Sequence, residues 1–101
     1  MKIISHIVSS QQGLWPSNLS SHYASWFHEA CQAQWHCFAD IQDNYIDAED
    51  NAHGKVLFHI LDNKAVIYVH IEYEIGWVYI RFVGSNEAFA EYQMHNKGIV
   101  S

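Results

Sequence analysis

Basic residues are scarce in this chain. Lysine and arginine number five against eleven acidic residues, a formal charge of −6 over 101 residues, and Arg81 is the only arginine. A protein that grips phosphates without sequence preference works through a strong positive field, so this balance excludes a general nucleic-acid binder. Long apolar runs are missing too, and no stretch approaches the roughly 20 residues that a membrane-spanning helix requires. The opening Met1-Lys2-Ile3-Ile4-Ser5-His6-Ile7-Val8 is too short and interrupted for a signal peptide, and has no small-residue cleavage site. Cysteine occurs twice, at Cys31 and Cys37, six residues apart. That spacing makes neither a two-residue metal knuckle nor a disulfide framework. The expectation is two free, buried thiols in a reducing cytoplasm. Charged residues make up only 16% and aromatics 15%, which excludes a disordered chain.

Half of the residues are hydrophobic, which suits one small domain over residues 1–101. Eight histidines stand out, and below about pH 6 they would protonate and offset the acidic excess. Ile3, Ile4, Ile7 and Val8 predict a first strand, with Gly13 and Pro16 marking its exit. Ser20 or Ser21 is positioned to cap a helix running to about Gln34, in which Leu19, Tyr23, Trp26, Phe27, Ala30 and Cys31 share one face. Trp35, Phe38 and Ile41 suggest a second short helix ending near Asn44, and Asp47 to Gly54 reads as an acidic loop. From Lys55 the period changes to two. Val56, Phe58 and Ile60 alternate up to a turn at Asp62-Asn63-Lys64, and Ile67, Val69, Ile71 and Tyr73 alternate up to a turn at Gly76. Val78, Ile80 and Phe82 follow in a strand from Trp77 to Val83. Asn86 to about His95 forms a closing helix. The fold class is α+β: an N-terminal strand, two helices, a three-stranded antiparallel meander and a short C-terminal helix, with the helices on one face.

Register decides which side chains meet, because a slip of one residue turns a strand over. An even-length turn around Ile75-Gly76 pairs His70 with Arg81 and Glu72 with Tyr79. It also joins Ile67, Val69, Ile71 and Tyr73 to Val78, Ile80 and Phe82 as one apolar face. A three-residue turn with Gly76 left-handed would bury a charge, at greater cost than turn strain. A first hairpin turning at Asp62-Asn63 or Asn63-Lys64 places His59 beside Val66 or Tyr68. The second face then carries His59, Tyr68, His70, Glu72, Tyr79 and Arg81.

Four blocks give the chain a family likeness. They are Met1-Lys2-Ile3-Ile4-Ser5; Ser25-Trp26-Phe27 followed by Ala33-Gln34-Trp35-His36-Cys37-Phe38-Ala39-Asp40-Ile41; Lys55-Val56-Leu57-Phe58-His59-Ile60 with Asn63-Lys64; and Trp77-Val78-Tyr79-Ile80-Arg81-Phe82-Val83-Gly84-Ser85. In this order they resemble the opening strand, the AWY and W-x-S-F-A-E-V helices, the VVFNI-and-GNK hairpin and the VYIRFVGT strand of HigB-type toxins. These belong to the RelE-like mRNA interferases of bacterial toxin–antitoxin pairs. The resemblance implies a compact cytoplasmic endoribonuclease, often acting on ribosome-bound mRNA, with no metal or other cofactor. It also implies neutralisation by a HigA-like antitoxin with a helix-turn-helix domain. After the VGT block the family usually continues H-x-E-Y-D, whose His, Tyr and Asp support catalysis. Here those positions are Asn86, Phe89 and Ala90, and a hairpin arginine of the family is matched by Val66.

Cleavage of RNA at a 2′-hydroxyl needs a base, an acid for the leaving oxygen and a cation near the phosphate. His59, His70 and Arg81 are the candidates for those roles, with Glu72 or Tyr79 tuning a histidine. Lys64, Tyr79, Arg81 and Asn86 are the candidate RNA-binding residues, and Trp77 and Tyr79 could stack bases. Interspersed polar groups also suit an ordinary solvated antiparallel face. His59, His70 and Glu72 are zinc-ligand types, but alternation explains their spacing and no compact ligand motif holds them. A protein-binding homologue without catalytic activity is the alternative function.

Overall fold

The computed structural model of the protein describes residues 1–5, 18–51 and 53–97. Its elements are β1 (Lys2–Ser5), α1 (Leu19–Gln32), α2 (Phe38–Asn44), β2 (Glu49–Asp50), β3 (Lys55–Ile60), β4 (Ala65–Glu72), β5 (Trp77–Ser85) and α3 (Asn86–Lys97). The expected α+β order is present. The expected strand residues Ile7 and Val8, and the exit at Gly13 and Pro16, lie outside the described residues.

The meander β3-β4-β5 is the middle of a five-stranded sheet ordered β1-β5-β4-β3-β2. β1 runs parallel to β5, with Ile3 beside Val78 and Ile4 beside Tyr79. A parallel pair needs a long crossover, and here the chain between the two strands includes α1, α2 and the whole first hairpin. The acidic segment expected as loop contains β2, whose Glu49 and Asp50 pair with Leu57 and Val56 on β3.

Alternation supplies the first core. Val56, Phe58, Ile67, Val69, Ile71, Val78 and Ile80 point to the face covered by Leu19, Trp26 and Ala30 of α1 and Ile41 of α2. Phe58 is its hub: the rings of Trp26, Trp35 and Tyr45 approach it at 5.2, 5.7 and 5.1 Å. The helix ends differ from expectation. α1 starts at Leu19 behind Asn18, whose φ of 71° suits asparagine, and the Ser21 hydroxyl donates to the Asn18 carbonyl at 3.0 Å instead of capping the helix. It stops at Gln32, and Trp35 sits buried in the connection before α2. Cys31 and Cys37 are free, but both are exposed, contrary to expectation. Cys31 follows the last inward residue of α1, Ala30, and Cys37 precedes α2, so neither faces the core.

Register departs from expectation at two places. The β4–β5 turn holds four residues, Tyr73 to Gly76, so the even parity stands but the partners shift. His70 pairs with Tyr79 and Glu72 with Trp77, instead of Arg81 and Tyr79. Gly76, at φ 71°, closes this turn with its N–H donating to the Glu72 carbonyl at 2.9 Å. Further on, Val69 pairs with Ile80 but Tyr68 with Phe82, leaving Arg81 as the extra residue of a bulge. The bulge holds the charged side chain in solvent and turns the rest of β5 over. Val83 therefore joins the first core, and Phe82, expected there, goes to the opposite face.

Gly54 ties the start of β3 to β4. Its carbonyl accepts the Ile71 N–H at 2.8 Å, its φ is +80°, and a Cβ there would lie 2.6 Å from the Ile71 carbonyl oxygen. Gly54→Ala should therefore cost about 2 kcal/mol or more and lower Tm by roughly 10 °C, from positive-φ strain and a backbone clash together. A thermal melt followed by circular dichroism checks this, and an unchanged Tm would contradict the assigned strain.

Candidate functional site

α3 divides the second face of the sheet. The turned-over Phe82 meets Leu57 and Val66, and Phe89 of α3 closes over them as a second small core flanked by Tyr68, Ala88 and Tyr92. Phe82 lies 4.9 Å from Tyr92 and 5.6 Å from Phe89, and Tyr68 lies 5.3 Å from Phe89 between ring centroids. The expectation that all helices lie on one face is thus corrected: α1 and α2 cover one face and α3 part of the other. Four apolar or aromatic side chains of the sheet, Leu57, Val66, Tyr68 and Phe82, needed a cover there, and a short helix following β5 directly can supply it.

Beyond α3 no described element covers the other end of the face. Lys55, His70 and Tyr79 form a row across three strands, with Trp77 and Glu72 in the next row. His70 Nε2 lies 3.1 Å from Glu72 Oε1, two residues along the same strand and so on the same face. The His70 and Tyr79 rings meet edge-on at 6.1 Å, and Trp77 and Tyr79 at 6.0 Å. The Lys2 ammonium sits 5.2 Å from the Trp77 ring centre, a cation–π contact delivered by β1. Arg81 is exposed in the adjacent bulge. Burial pushes the Tyr68 phenol above its usual range and repulsion from Tyr92 adds to this, while the Arg81 guanidinium opposes it.

His59 stands elsewhere. It pairs with Val66, as one of the two expected hairpin registers has it, and its Nε2 lies 2.6 Å from Glu49 Oε2. Its strand position is four residues from Lys55, the partner of His70, so about 13 Å of sheet separates the two histidines. His59 lines a cleft of about 380 Å³ with Asp47, Glu49, Asn63 and Asn86. Asn86 donates its side-chain amide to the Asn63 carbonyl at 2.6 Å and its backbone N–H to the Lys64 carbonyl at 3.1 Å, fastening α3 to the hairpin.

The expected residues therefore fall into two groups. His70 and Tyr79 share the open end with Arg81 nearby on β5, and His59, Lys64 and Asn86 gather at the β3–β4 turn. Lys2 and Lys55 join the first group without having been singled out. Lys55 was findable, since it alternates with Leu57 and His59; Lys2 arrives only through the β1–β5 pairing, which no local pattern announces. Among the described residues no group of three or more His, Cys, Asp or Glu is placed to hold a metal ion, and no helix is long and apolar enough to cross a membrane.

Comparison with known proteins agrees with this architecture. No curated protein matches the chain. The sequence model of the HigB toxin family, described as the RelE-like toxic component of a toxin–antitoxin system, matches residues 20–94. That span takes in α2, the strands β2 to β5 and most of α1 and α3. The strand-helix-helix-sheet-helix order and the matched three quarters of its length carry one conclusion: the chain belongs to the HigB family of RelE-like toxins.

Proposed function

We propose that this chain is the toxin half of a cytoplasmic pair, held by a helix-turn-helix antitoxin of the HigA type, and that its mRNA cleavage is strongly attenuated. One observation carries the reading. At the start of α3, where the family resemblance calls for His, Tyr and Asp, Phe89 is 7% exposed in the second core and Asn86 spends its amide on the hairpin. Ala90 has no titratable group, and an amide does not exchange protons near neutral pH. Val66, at the position of a family arginine, is 2% exposed beneath the same helix. These positions pack and fasten α3 instead of handling protons.

What remains for RNA is the open end. Trp77 and Tyr79 offer ring faces to unstacked bases, and Lys2, Lys55 and Arg81 offer cations to phosphates. His70 beside Glu72 is the group best placed to move a proton there, while His59 is engaged with Glu49 at the other end. Residual cleavage would run through His70 and Arg81.

Induction of the chain in cells lacking its antitoxin tests this reading. Growth should slow little, and transcript 5′ ends should match those of uninduced cells. Complete absence of cleavage with retained antitoxin binding would identify a purely protein-binding homologue. Growth arrest with strong cleavage that survives His59→Ala, His70→Ala and Arg81→Ala would overturn both the attenuation and the choice of residues.

A further inference from the structure

The helical side of the molecule has a different chemistry. A cleft of about 380 Å³ between the last turn of α1 and the end of α2 is lined by Glu29, Gln32, Ala33, Trp35, Asn44 and Tyr45. Its polar groups are one carboxylate, two side-chain amides and a phenol. Two aromatic rings stand beside them, with Trp35 and Tyr45 meeting edge-on at 6.2 Å. The Tyr45 hydroxyl donates to Glu29 Oε1. Burial, then the hydrogen bond and charge of Glu29, hold the Tyr45 phenol well above its usual range, so it stays a neutral donor that fixes one carboxylate oxygen.

The Met1 ammonium donates to the Ala33 carbonyl at 2.6 Å, but the side-chain charge of the segment that builds the cleft is all negative. From Ile3 to Gly54 the sequence has no lysine or arginine, but has Glu29, Asp40, Asp43, Asp47, Glu49 and Asp50. That segment carries as much negative charge as the whole chain has in excess, leaving the remainder near neutral. A field of this kind repels a phosphate backbone and attracts a cation.

We infer that this cleft receives an arginine side chain from a basic segment of the chain's protein partner. A planar guanidinium can pair with a carboxylate, donate to amide carbonyls in its own plane and lie against an aromatic ring; a lysine ammonium lacks the fork and the flat face. Glu29, the amides of Gln32 and Asn44, and the half-buried ring of Tyr45 supply these partners, with the buried Trp35 as part of the wall. The identification of the occupant rests on the antitoxin partnership proposed above, but the cleft's preference for a guanidinium does not.

Two measurements on the full chain separate the two. In the first, the peptide acetyl-Ala-Arg-Ala-Arg-Ala-amide is titrated into the ¹⁵N-labelled protein at low salt. The Trp35 indole and the Gln32 and Asn44 side-chain amides should shift saturably. Affinity should fall about tenfold or more in Glu29→Gln, as expected for losing a charge-assisted contact, and the peptide with glutamine for arginine should not bind. No shift in the wild type, or equal affinity in Glu29→Gln, overturns the site. In the second, the chain is co-expressed with the adjacent gene of its operon. Glu29→Arg, with an unchanged circular dichroism spectrum, should lose the co-purifying antitoxin that the wild type retains. Equal capture by both overturns the docking role, whereas peptide binding with no captured antitoxin upholds the cleft and removes the partnership.

Discussion

Phe58→Ala should largely unfold the protein. Phe58 is fully buried, and three aromatic rings from α1 and the segments around α2 converge on it. Removing a ring from such a site typically costs about 3–5 kcal/mol, because the lost transfer energy is joined by an incompletely collapsed cavity. Small domains have only about 5–15 kcal/mol in total. Among the described residues the buried indole N–H groups of Trp26 and Trp35 have no hydrogen-bond partner, so this region depends mainly on packing, with the Tyr45–Glu29 hydrogen bond at its edge. Phe58→Leu keeps most of the volume and should cost roughly 1–2 kcal/mol. Phe89→Ala should fall between them, because it loosens α3 over the smaller core and leaves the first core intact. Urea denaturation of the three variants gives the order directly. A Phe58→Ala variant as stable as Phe58→Leu would contradict the hub assignment.

Restoring acid–base groups to the start of α3 should raise RNA cleavage sharply. Residues 86 and 90 lie one helical turn apart and residue 89 lies between them, so all three positions crowd one side of the first turn. Positioned proton transfer typically contributes about 10²–10⁴-fold to rate. Asn86→His combined with Ala90→Asp places an imidazole and a carboxylate together there. Ala90 is exposed and should accept the change at little cost to stability, and a histidine N–H can take over donation to the Asn63 carbonyl. The double variant should cleave at least about 10²-fold faster than the wild type, as read by primer extension on a defined transcript. An unchanged rate would mean that the missing groups are not what limits this chain.

Much of the sheet was readable from the sequence because side-chain alternation is a strong local signal. The meander strands and the apolar row from Ile67 to Ile80 follow from it, and it narrows the partner of His59 to Val66 or Tyr68, of which the structure has Val66. The Arg81 bulge was not readable, because Val78, Ile80 and Phe82 continue an unbroken alternation through it. Its trace is the run Phe82-Val83, two large apolar residues in succession that no single face can hold, together with Phe89 and Tyr92 on the next helix. The position of α3 has the same origin: without a flipped Phe82 the second face looked polar enough to stay in water. The β1–β5 pairing joins residues more than 70 apart and is set by the crossover, leaving no mark in either segment. For the site, His70 and Tyr79 were legible as same-face neighbours. The separation of His59 was not, since alternation assigns a face but says little about how far along it two residues sit or what covers the space between.

Single-turnover cleavage of a ribosome-bound mRNA by the purified wild-type chain, with new 5′ ends mapped against a protein-free control, reads the attenuation itself. The arrangement of Asn86, Phe89 and Ala90 predicts ends barely above the control, and a residual rate that falls further in His70→Ala and Arg81→Ala but not in His59→Ala. Rapid cleavage at defined positions by the wild type, undiminished by His70→Ala and Arg81→Ala, would contradict it.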